Sequence, residues 1–279
     1  MDRNLIDIYK NNGFIEFEDL FSDEQINRWN DVLDRFYLEK DKKVTLDLLE
    51  LGKPGFEIVK EFLNDKVKFI IDQLIKDPII FYAGSNEIPS KQKISHVNHN
   101  ELEGWHTDTG ENLQYLNLNY PFWITFFVYL TDVGQNDGAF EISNVTKKKN
   151  IKHKMKCFKL MGKRGKAFVW GNPFFHRASP NNGNTRRRIL KIQIQHNYLE
   201  NTYIKTLNKV HDYIDDHDHY INYIFGKKHF SSYRDWGIGC DIKKQDIKIL
   251  NYNYDQDYNS NIKLEKINNI KKKIKDLFV

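Results

Sequence analysis

The sequence predicts a mainly β chain with flanking helices (α+β), in which two β-sheets form a core that helices cover from outside. From about residue 79 to 197, short β-rich runs alternate with turn signals at intervals of roughly ten residues, as in antiparallel sandwiches and barrels. On both sides of this region, hydrophobic residues recur at helical spacing. A hydrophobic content of 40% over 279 residues suits one large domain, or a core with an appendage.

The N-terminal region carries a predicted strand and two helical segments. Residues 13–21 alternate apolar and acidic side chains in the manner of a short strand. Ser22 and Gln25 form a capping-box pattern, so we expect a helix from about 23–38. A second amphipathic segment follows over about 59–76.

The β-rich region and the residues after it define the predicted domain organisation. The β-rich runs are IIFYAG, KISHVNHN, FWITFFVYLT, GAFEIS, KAFVWG and RILKIQIQ. Beyond residue 200 the chain becomes polar and helical, with helices expected at about 203–225 and 262–277. We therefore expect a domain over residues 1–200, with N-terminal helices and its β core at about 79–197. A helical C-terminal extension over 201–279 should pack on the same domain.

The composition excludes several classes of protein. Lys+Arg 43 against Asp+Glu 38 gives a net charge of +5, spread in short runs, whereas a general nucleic-acid binder carries a stronger basic face. The two cysteines, Cys157 and Cys240, are too few for a disulfide framework or a thiolate metal site. The longest apolar run, 122–130, is too short to span a bilayer, and no secretory signal is evident. We expect a cytoplasmic protein with no membrane span and no nucleic-acid partner.

The stretch GWHTDTG places a histidine and a carboxylate two residues apart, at His106 and Asp108. In a strand these side chains project to the same face, so both can aim at one point. A further histidine from another strand would complete the 2-His-1-carboxylate triad that holds non-haem Fe(II) with open coordination positions. The candidate is His176, which follows a strand and a Gly-Asn-Pro turn.

A basic residue follows this histidine on the next predicted strand. Arg187 lies eleven positions after His176 and shares its strand face with Lys191 and Gln193, whereas the alternate residues of that strand are aliphatic. The more polar face is where a guanidinium that binds an anion is expected. A register error of one residue would assign this role to Arg186 or Arg188 instead.

These residues together resemble the phytanoyl-CoA dioxygenase family of Fe(II)/2-oxoglutarate oxygenases, whose members have an HxD pair, a distal histidine and an arginine about eleven residues later. The stretches KNNGFIEFEDLFSDEQI, TDVGQNDGAFEISNVTKK and HRASPNNGNTRR extend the resemblance over about the first two hundred residues. The resemblance implies a double-stranded β-helix (jelly-roll, cupin-like) core. It also implies that His106, Asp108 and His176 bind Fe(II), with 2-oxoglutarate and O2 as cosubstrates.

By the same resemblance, Arg187, Asn98 and Phe127 contact 2-oxoglutarate, and His96, Thr125 and Tyr129 line the substrate pocket. The chain departs from the family where its Pro-Gly-Ser-His turn is replaced by residues 143–146 (SNVT). Ala178 also stands where a small hydroxyl residue is common. Halogenating relatives have a small residue in place of the carboxylate, so Asp108 favours hydroxylation.

The resemblance implies hydroxylation of an unactivated C–H bond of a small-molecule substrate, with release of succinate and CO2. His96 and Lys191 near the inferred pocket favour an anionic substrate. The alternative is a jelly-roll binding protein with altered catalysis, or an oxygenase acting on a protein or nucleic acid. The sequence leaves the oligomeric state open.

A second group of metal-ligand side chains occurs near the C-terminus, in VHDYIDDHDHY. On a helix, His211, Asp215 and His219 would share one face, and a divalent ion could bind there. The apolar stripe on the opposite face would explain the same helix without metal.

Overall fold

The computed structural model describes the residues in the ranges 5–38, 45–92, 103–108, 121, 123–143, 156–171, 174–197, 201–227 and 248–249. The predicted site residues His96 and Asn98 lie outside these ranges, as does the helix predicted at about 262–277.

Helices and strands alternate in the order expected of a β core with helices before and after it. The helices are α1 (Leu5–Asn12), α2 (Asp23–Leu38), α3 (Lys53–Phe62), α4 (Asp65–Leu74), α5 (Ile204–Asn208) and α6 (His219–Ile224). The strands are β1 (Phe14–Glu18), β2 (Thr45–Asp47), β3 (Pro78–Ile88), β4 (Trp123–Tyr129), β5 (Phe140–Ser143), β6 (Cys157–Leu160), β7 (Ala167–Trp170), β8 (His176–Ala178), β9 (Arg187–His196) and β10 (Lys248–Ile249).

The strands form two antiparallel sheets that pack face to face. The larger sheet has seven strands in the order β10-β1-β7-β4-β9-β3-β2, and the smaller has three in the order β6-β5-β8. Aromatic rings join the sheets: the ring centroid of Phe140 lies 4.9 Å from that of Phe127 and 5.4 Å from that of Phe168. The prediction of a double-sheet β core is therefore confirmed.

The other face of the larger sheet is covered by the N-terminal helices. Phe62 of α3 packs edge-on against Phe126 of β4, with ring centroids 5.3 Å apart. The capping box is present, because Ser22 N donates to Gln25 Oε1 at 3.0 Å and Gln25 N to Ser22 Oγ at 3.2 Å. These bonds fix the start of α2, and the predicted helix at 23–38 is confirmed.

The second amphipathic segment, predicted over about 59–76, consists of two helices. Helix α3 ends at Phe62, and Asn64 begins α4 by accepting a hydrogen bond from Val67 N on its side-chain oxygen, at 3.1 Å. The apolar stripe continues through the break because each helix buries apolar residues at helical spacing. Periodicity alone therefore did not reveal the boundary.

The predicted continuous helix at about 203–225 is wrong. Short helices α5 and α6 flank a 3-10 turn (His211–Tyr213) and an irregular stretch. In that stretch His217 N donates to the Asp215 side chain at 2.8 Å, and Asp218 caps α6 by accepting from Ile221 N at 3.1 Å. Such local aspartate bonds compete with helical ones and interrupt the helix. None of the helices in the described ranges has the length and apolar character needed to cross a membrane.

Candidate metal centre

Three predicted ligands meet at one point between the two sheets. His106, Asp108 and His176 each offer one ligand atom, and these atoms lie within 4.8 Å of one another. Asp108 Oδ1 is 3.7 Å from His106 Nε2 and 3.4 Å from His176 Nε2. Two imidazole nitrogens and a carboxylate oxygen at this spacing could hold a divalent metal ion.

Backbone pairing brings the two histidines together. His106 N donates to His176 O at 3.0 Å, and His176 N donates to His106 O at 2.9 Å. This is an isolated antiparallel bridge, so the HxD segment is not the regular strand that the sequence predicted. The single bridge still places both side chains on the inner side of β8.

Both imidazole rings are oriented by carbonyl groups two residues earlier in the chain. His106 Nδ1 lies 2.8 Å from Gly104 O, and His176 Nδ1 lies 3.2 Å from Phe174 O. A carbonyl oxygen only accepts, so each Nδ1 carries the proton and donates. Each Nε2 therefore keeps its lone pair for a metal, the usual arrangement of metal-binding histidines.

The second oxygen of the carboxylate is held by two residues of β9. Asp108 Oδ2 accepts hydrogen bonds from Lys191 Nζ and Gln193 Nε2, each at 3.2 Å. Burial alone would raise the pKa of Asp108, but the neighbouring His176 and the charge of Lys191 outweigh it and hold the pKa far below its usual range. The carboxylate is therefore ionised, as a metal ligand must be.

The environment also keeps His106 neutral. Burial, reinforced by the neighbouring His176, lowers the pKa of His106 from 6.5 to about 4. Because a metal and a proton compete for the same imidazole nitrogen, a low pKa favours metal binding at neutral pH.

We expect the metal-free protein to lose stability as the pH falls from about 6.5 to about 4. In this window the unfolded chain protonates His106 and the folded chain does not, so protons favour unfolding. The free energy of unfolding lost through His106 is zero above the pKa of the unfolded chain and reaches at most about 3 kcal/mol at low pH. Urea unfolding at about pH 7 and about pH 4.5 measures it, and His106→Gln should show a smaller difference between the two.

The exposed His217 provides the matched control for this experiment. His217→Gln should retain the pH dependence of the unmodified chain. An equal pH dependence in the unmodified chain and His106→Gln would contradict the assigned pKa.

The two nearer residues of the predicted β4 face lie beside this centre. Phe127 packs on Trp170, with ring centroids 5.7 Å apart, and the Trp170 ring lies 4.1 Å from that of His176. Thr125 Oγ1 lies 3.4 Å from Gln193 Nε2, the amide nitrogen that also contacts the ligand carboxylate. These contacts place an aromatic wall and a small polar group next to the metal ligands.

Tyr129, the third residue of that face, lies deeper between the sheets. Its hydroxyl donates to Leu160 O at 2.6 Å and accepts from Phe140 N at 3.1 Å, so it joins β4 to both β6 and β5. The substrate contacts predicted for Thr125 and Tyr129 stay predictions.

Arg187 enters the same interior from β9 and is 2% exposed. Its Nη1 donates to Gly138 O at 2.8 Å, but its buried Nε has no hydrogen-bond partner. Within the described residues no carboxylate pairs with this guanidinium, and burial lowers its pKa. A buried cation with an unused donor suits an anionic ligand, because an unpaired buried charge is costly.

The neighbouring arginines point elsewhere. Arg188 lies on the opposite face of β9, where it pairs with Asp34 and Glu87 at 2.8 Å each. Arg186 is 44% exposed and reaches Asp34 from the surface. Of the three, only Arg187 is buried on the face of β9 that also carries Lys191 and Gln193, as the strand alternation predicts.

The alternative metal site considered at His211, Asp215 and His219 is not formed. His211 belongs to the 3-10 turn, His219 begins α6, and Asp215 lies in the turn between them. In the described part of the chain, the triad at His106 is the one group of three such side chains with metal-ligand spacing. The helical face that the alternative site required does not exist.

The sequence did not predict the hydrogen bonds that three residues, Lys191, Gln193 and Arg177, make around this centre. Lys191 and Gln193 were placed on the correct face of β9, but their bonds to Asp108 were not predicted. Arg177, next to His176, contacts the HxD segment from outside. Strand parity supplied a signal for the first two, and nothing in the spacing pointed to Arg177.

No protein-family model and no curated protein matches the chain. Solved structures do match. HygX from Streptomyces hygroscopicus, with nickel and 2-oxoglutarate bound, has a TM-score of 0.55 and 11% identity, covering 72% of this chain and 89% of HygX. EctD from S. alaskensis, with 2-oxoglutarate and 5-hydroxyectoine, has a TM-score of 0.57 and 12% identity, covering 70% and 76%. The non-haem α-ketoglutarate-dependent carbocyclase SnoK from nogalamycin biosynthesis has a TM-score of 0.54 and 10% identity, covering 70% and 84%.

The chain has the jelly-roll, cupin-like fold of these three proteins. The jelly roll explains why ligands from distant points of the chain meet between the two sheets. At these identities the likeness concerns the fold alone, and any chemistry has to come from the side chains of this chain. Its His-Asp-His group could hold iron, and a further EctD structure contains bound Fe.

Proposed function

We propose that the chain is an Fe(II)- and 2-oxoglutarate-dependent oxygenase of the phytanoyl-CoA dioxygenase-like type. It hydroxylates an unactivated C–H bond of a small molecule and releases succinate and CO2. One observation carries the proposal: the triad and the buried, incompletely paired Arg187 share one interior. The jelly-roll neighbours crystallised with 2-oxoglutarate support it.

The residues of this chain have separate tasks in the proposed reaction. His106, Asp108 and His176 hold Fe(II), which together with 2-oxoglutarate and O2 supplies the oxidising chemistry when bound. Arg187 binds the carboxylate of 2-oxoglutarate remote from the metal, because its planar fork suits that anion. The presence of Asp108 as third ligand favours hydroxylation over halogenation.

The aromatic wall and the β9 residues complete this assignment. Phe127 and Trp170 exclude water from the space beside the ligands, which strengthens the electrostatic contacts inside it. Lys191 and Gln193 keep Asp108 Oδ2 occupied, so that Oδ1 faces the two imidazoles. The proposed contacts of Asn98 with 2-oxoglutarate and of His96 with the substrate concern residues outside the described ranges.

We propose an anionic substrate. The Lys191 ammonium group lies at the metal centre with 18% of its side chain exposed, and it contacts the Phe127 ring at 5.9 Å. A negatively charged group on the substrate would complement this cation. A substrate whose neutral amide is hydroxylated with a higher kcat/KM than its carboxylate would contradict this assignment.

Anaerobic binding followed by an oxygen assay tests the proposed function. The chain should bind one equivalent of Fe(II), and 2-oxoglutarate should bind tightly only after the metal. On admission of oxygen, succinate should form in proportion to the 2-oxoglutarate consumed. Binding of both without succinate formation would favour a binding protein instead.

We assign residues 1–200 to the oxygenase domain and 201–279 to its extension, and place the enzyme in the cytoplasm.

A further inference from the structure

Arg177 follows the metal ligand His176 and projects to the outer side of the three-stranded sheet. Its cross-strand neighbour on β5 is Glu141, and Arg177 Nε donates to Glu141 Oε2 at 2.7 Å. Glu141 is 6% exposed and also approaches Lys159 at 3.8 Å. This ion pair fixes the guanidinium on the sheet immediately behind the metal centre.

The other side of the same guanidinium contacts the segment 103–108, which carries the other two ligands. Arg177 Nη1 donates to Glu103 O at 2.9 Å, and its guanidinium carbon lies 4.8 Å from the centroid of the Trp105 ring. Trp105 is 3% exposed, so its indole is buried against the outside of the sheet. The Arg177 side chain therefore contacts both the backbone of Glu103 and the ring of Trp105 in this segment.

The segment needs such a restraint because its backbone is unusual. Glu103 has φ 50° and Gly104 has φ 86°, and the first is a conformation that non-glycine residues rarely adopt. The turn places Gly104 O against the His106 ring. Arg177 holds the segment at Glu103, and the backbone bridge with His176 holds it at His106. Two fixed points three residues apart set the direction of the ligands that follow.

We propose that Arg177 is a positioning residue of the metal centre: it holds the segment 103–108 so that His106 and Asp108 converge on His176 before a metal arrives. The proposal rests on the proposed function only in requiring that the triad binds a metal. Groups that orient metal ligands typically contribute 10- to 100-fold to affinity. We expect this contribution from Arg177 although it touches neither metal nor substrate.

Binding of Co(II) to the full chain tests the proposal, with its visible absorption reporting the ligand geometry. Arg177→Met should weaken Co(II) binding by roughly 10- to 100-fold and alter the spectrum. Arg164→Met is the matched control, because Arg164 also joins two elements, through Asp23 at 3.2 Å and Asn27 at 2.7 Å, on the surface. It should bind Co(II) within about twofold of the unmodified chain.

A second variant separates positioning from general stability. Arg177→Lys keeps a positive charge beside Glu141 but lacks the fork that also reaches Glu103. It should recover the stability of the metal-free chain more fully than it recovers Co(II) affinity. It also decides the question if Arg177→Met does not fold.

Three outcomes distinguish the possibilities. Co(II) affinity and spectra equal to those of the unmodified chain in Arg177→Met, or in Arg177→Lys if only that variant folds, would overturn the positioning role. A loss of metal affinity matched by an equal loss of metal-free stability would also overturn it. An unmodified chain that binds neither Co(II) nor Fe(II) would contradict the proposed function itself.

Discussion

Replacing Asp108 by alanine should abolish 2-oxoglutarate turnover, to below about one thousandth of the original rate, and weaken Fe(II) binding by roughly 100-fold or more. The substitution removes the one anionic ligand of the triad. It also leaves Lys191 Nζ, now 3.2 Å from the carboxylate, as an uncompensated cation beside the metal position. The loss of attraction and the gain of repulsion act in the same direction. Equilibrium Fe(II) binding and succinate release measure the two effects.

Asp132 offers the matched control for this substitution. It is an aspartate with a lysine partner as well, since its Oδ2 lies 2.7 Å from Lys163 Nζ, but it lies away from the triad near the surface. Asp132→Ala should retain metal binding and turnover. Full activity in either Asp108→Ala or His106→Ala would refute the assignment of the site.

Pairing Asp108→Ala with Lys191→Met tests the electrostatic part of this argument. Lys191→Met removes the cation that Asp108→Ala leaves without a partner. The double variant should therefore bind Fe(II) more tightly than Asp108→Ala alone, although it remains inactive. Equal affinities would show that the lysine charge does not reach the metal position.

Local patterns in the sequence were enough to predict that His106, Asp108 and His176 converge and which face of β9 carries Arg187. The HxD spacing, the strand end before His176 and the alternation along β9 each depend on residues close in the chain. Side chains on a strand alternate whatever the tertiary structure, so parity selects Arg187 over Arg186 and Arg188 before any fold is known. The double-sheet core could be predicted from the spacing of turns, which is also a local feature of the sequence.

The contacts that hold the ligands in place could not be predicted in this way. The bond from Lys191 to Asp108 spans 83 residues, and that from Arg177 to Glu103 spans 74. The pairing of β10 with β1 joins the two ends of the described chain. Such contacts depend on how strands are arranged in space, which periodicity does not encode. The breaks at Asn64 and Asp215 were missed because single capping side chains override an apolar stripe.

Replacing Arg187 by methionine should raise the 2-oxoglutarate concentration for half-maximal turnover by roughly 100-fold, which corresponds to about 2.7 kcal/mol. Methionine keeps the length of the side chain and removes the charge that would pair with a carboxylate. Fe(II) binding should change little, because the hydrogen bond that the guanidinium makes within the described residues goes to Gly138 O and not to the triad. Steady-state kinetics over a wide range of 2-oxoglutarate concentrations, with separate Fe(II) titrations, measure both quantities.

Three consecutive arginines make this prediction unusually specific. Arg188 is 0% exposed, pairs with Asp34 and Glu87 across the sheet and α2, and lies 4.7 Å over the Tyr37 ring. Arg188→Met should reduce the free energy of unfolding by about 3 kcal/mol, because it removes the buried partner of two carboxylates and leaves only the surface residue Arg186 beside them. It should leave the 2-oxoglutarate requirement of the folded enzyme unchanged. Arg186→Met, at the surface, should change neither quantity appreciably.

The stability of Arg187→Met without metal and 2-oxoglutarate best distinguishes an arginine that binds an anion from one that stabilises the fold. A buried guanidinium with an unused Nε–H is unfavourable until an anion binds, so removing it should leave the free energy of unfolding unchanged or increase it. At the same time, the rise in melting temperature that 2-oxoglutarate gives the Fe(II)-loaded chain should disappear, since a ligand stabilises only the state it binds. A structural arginine would show the reverse pattern, with lower stability and intact protection by 2-oxoglutarate. That reverse pattern in Arg187→Met would exclude Arg187 as the residue that binds the carboxylate of 2-oxoglutarate.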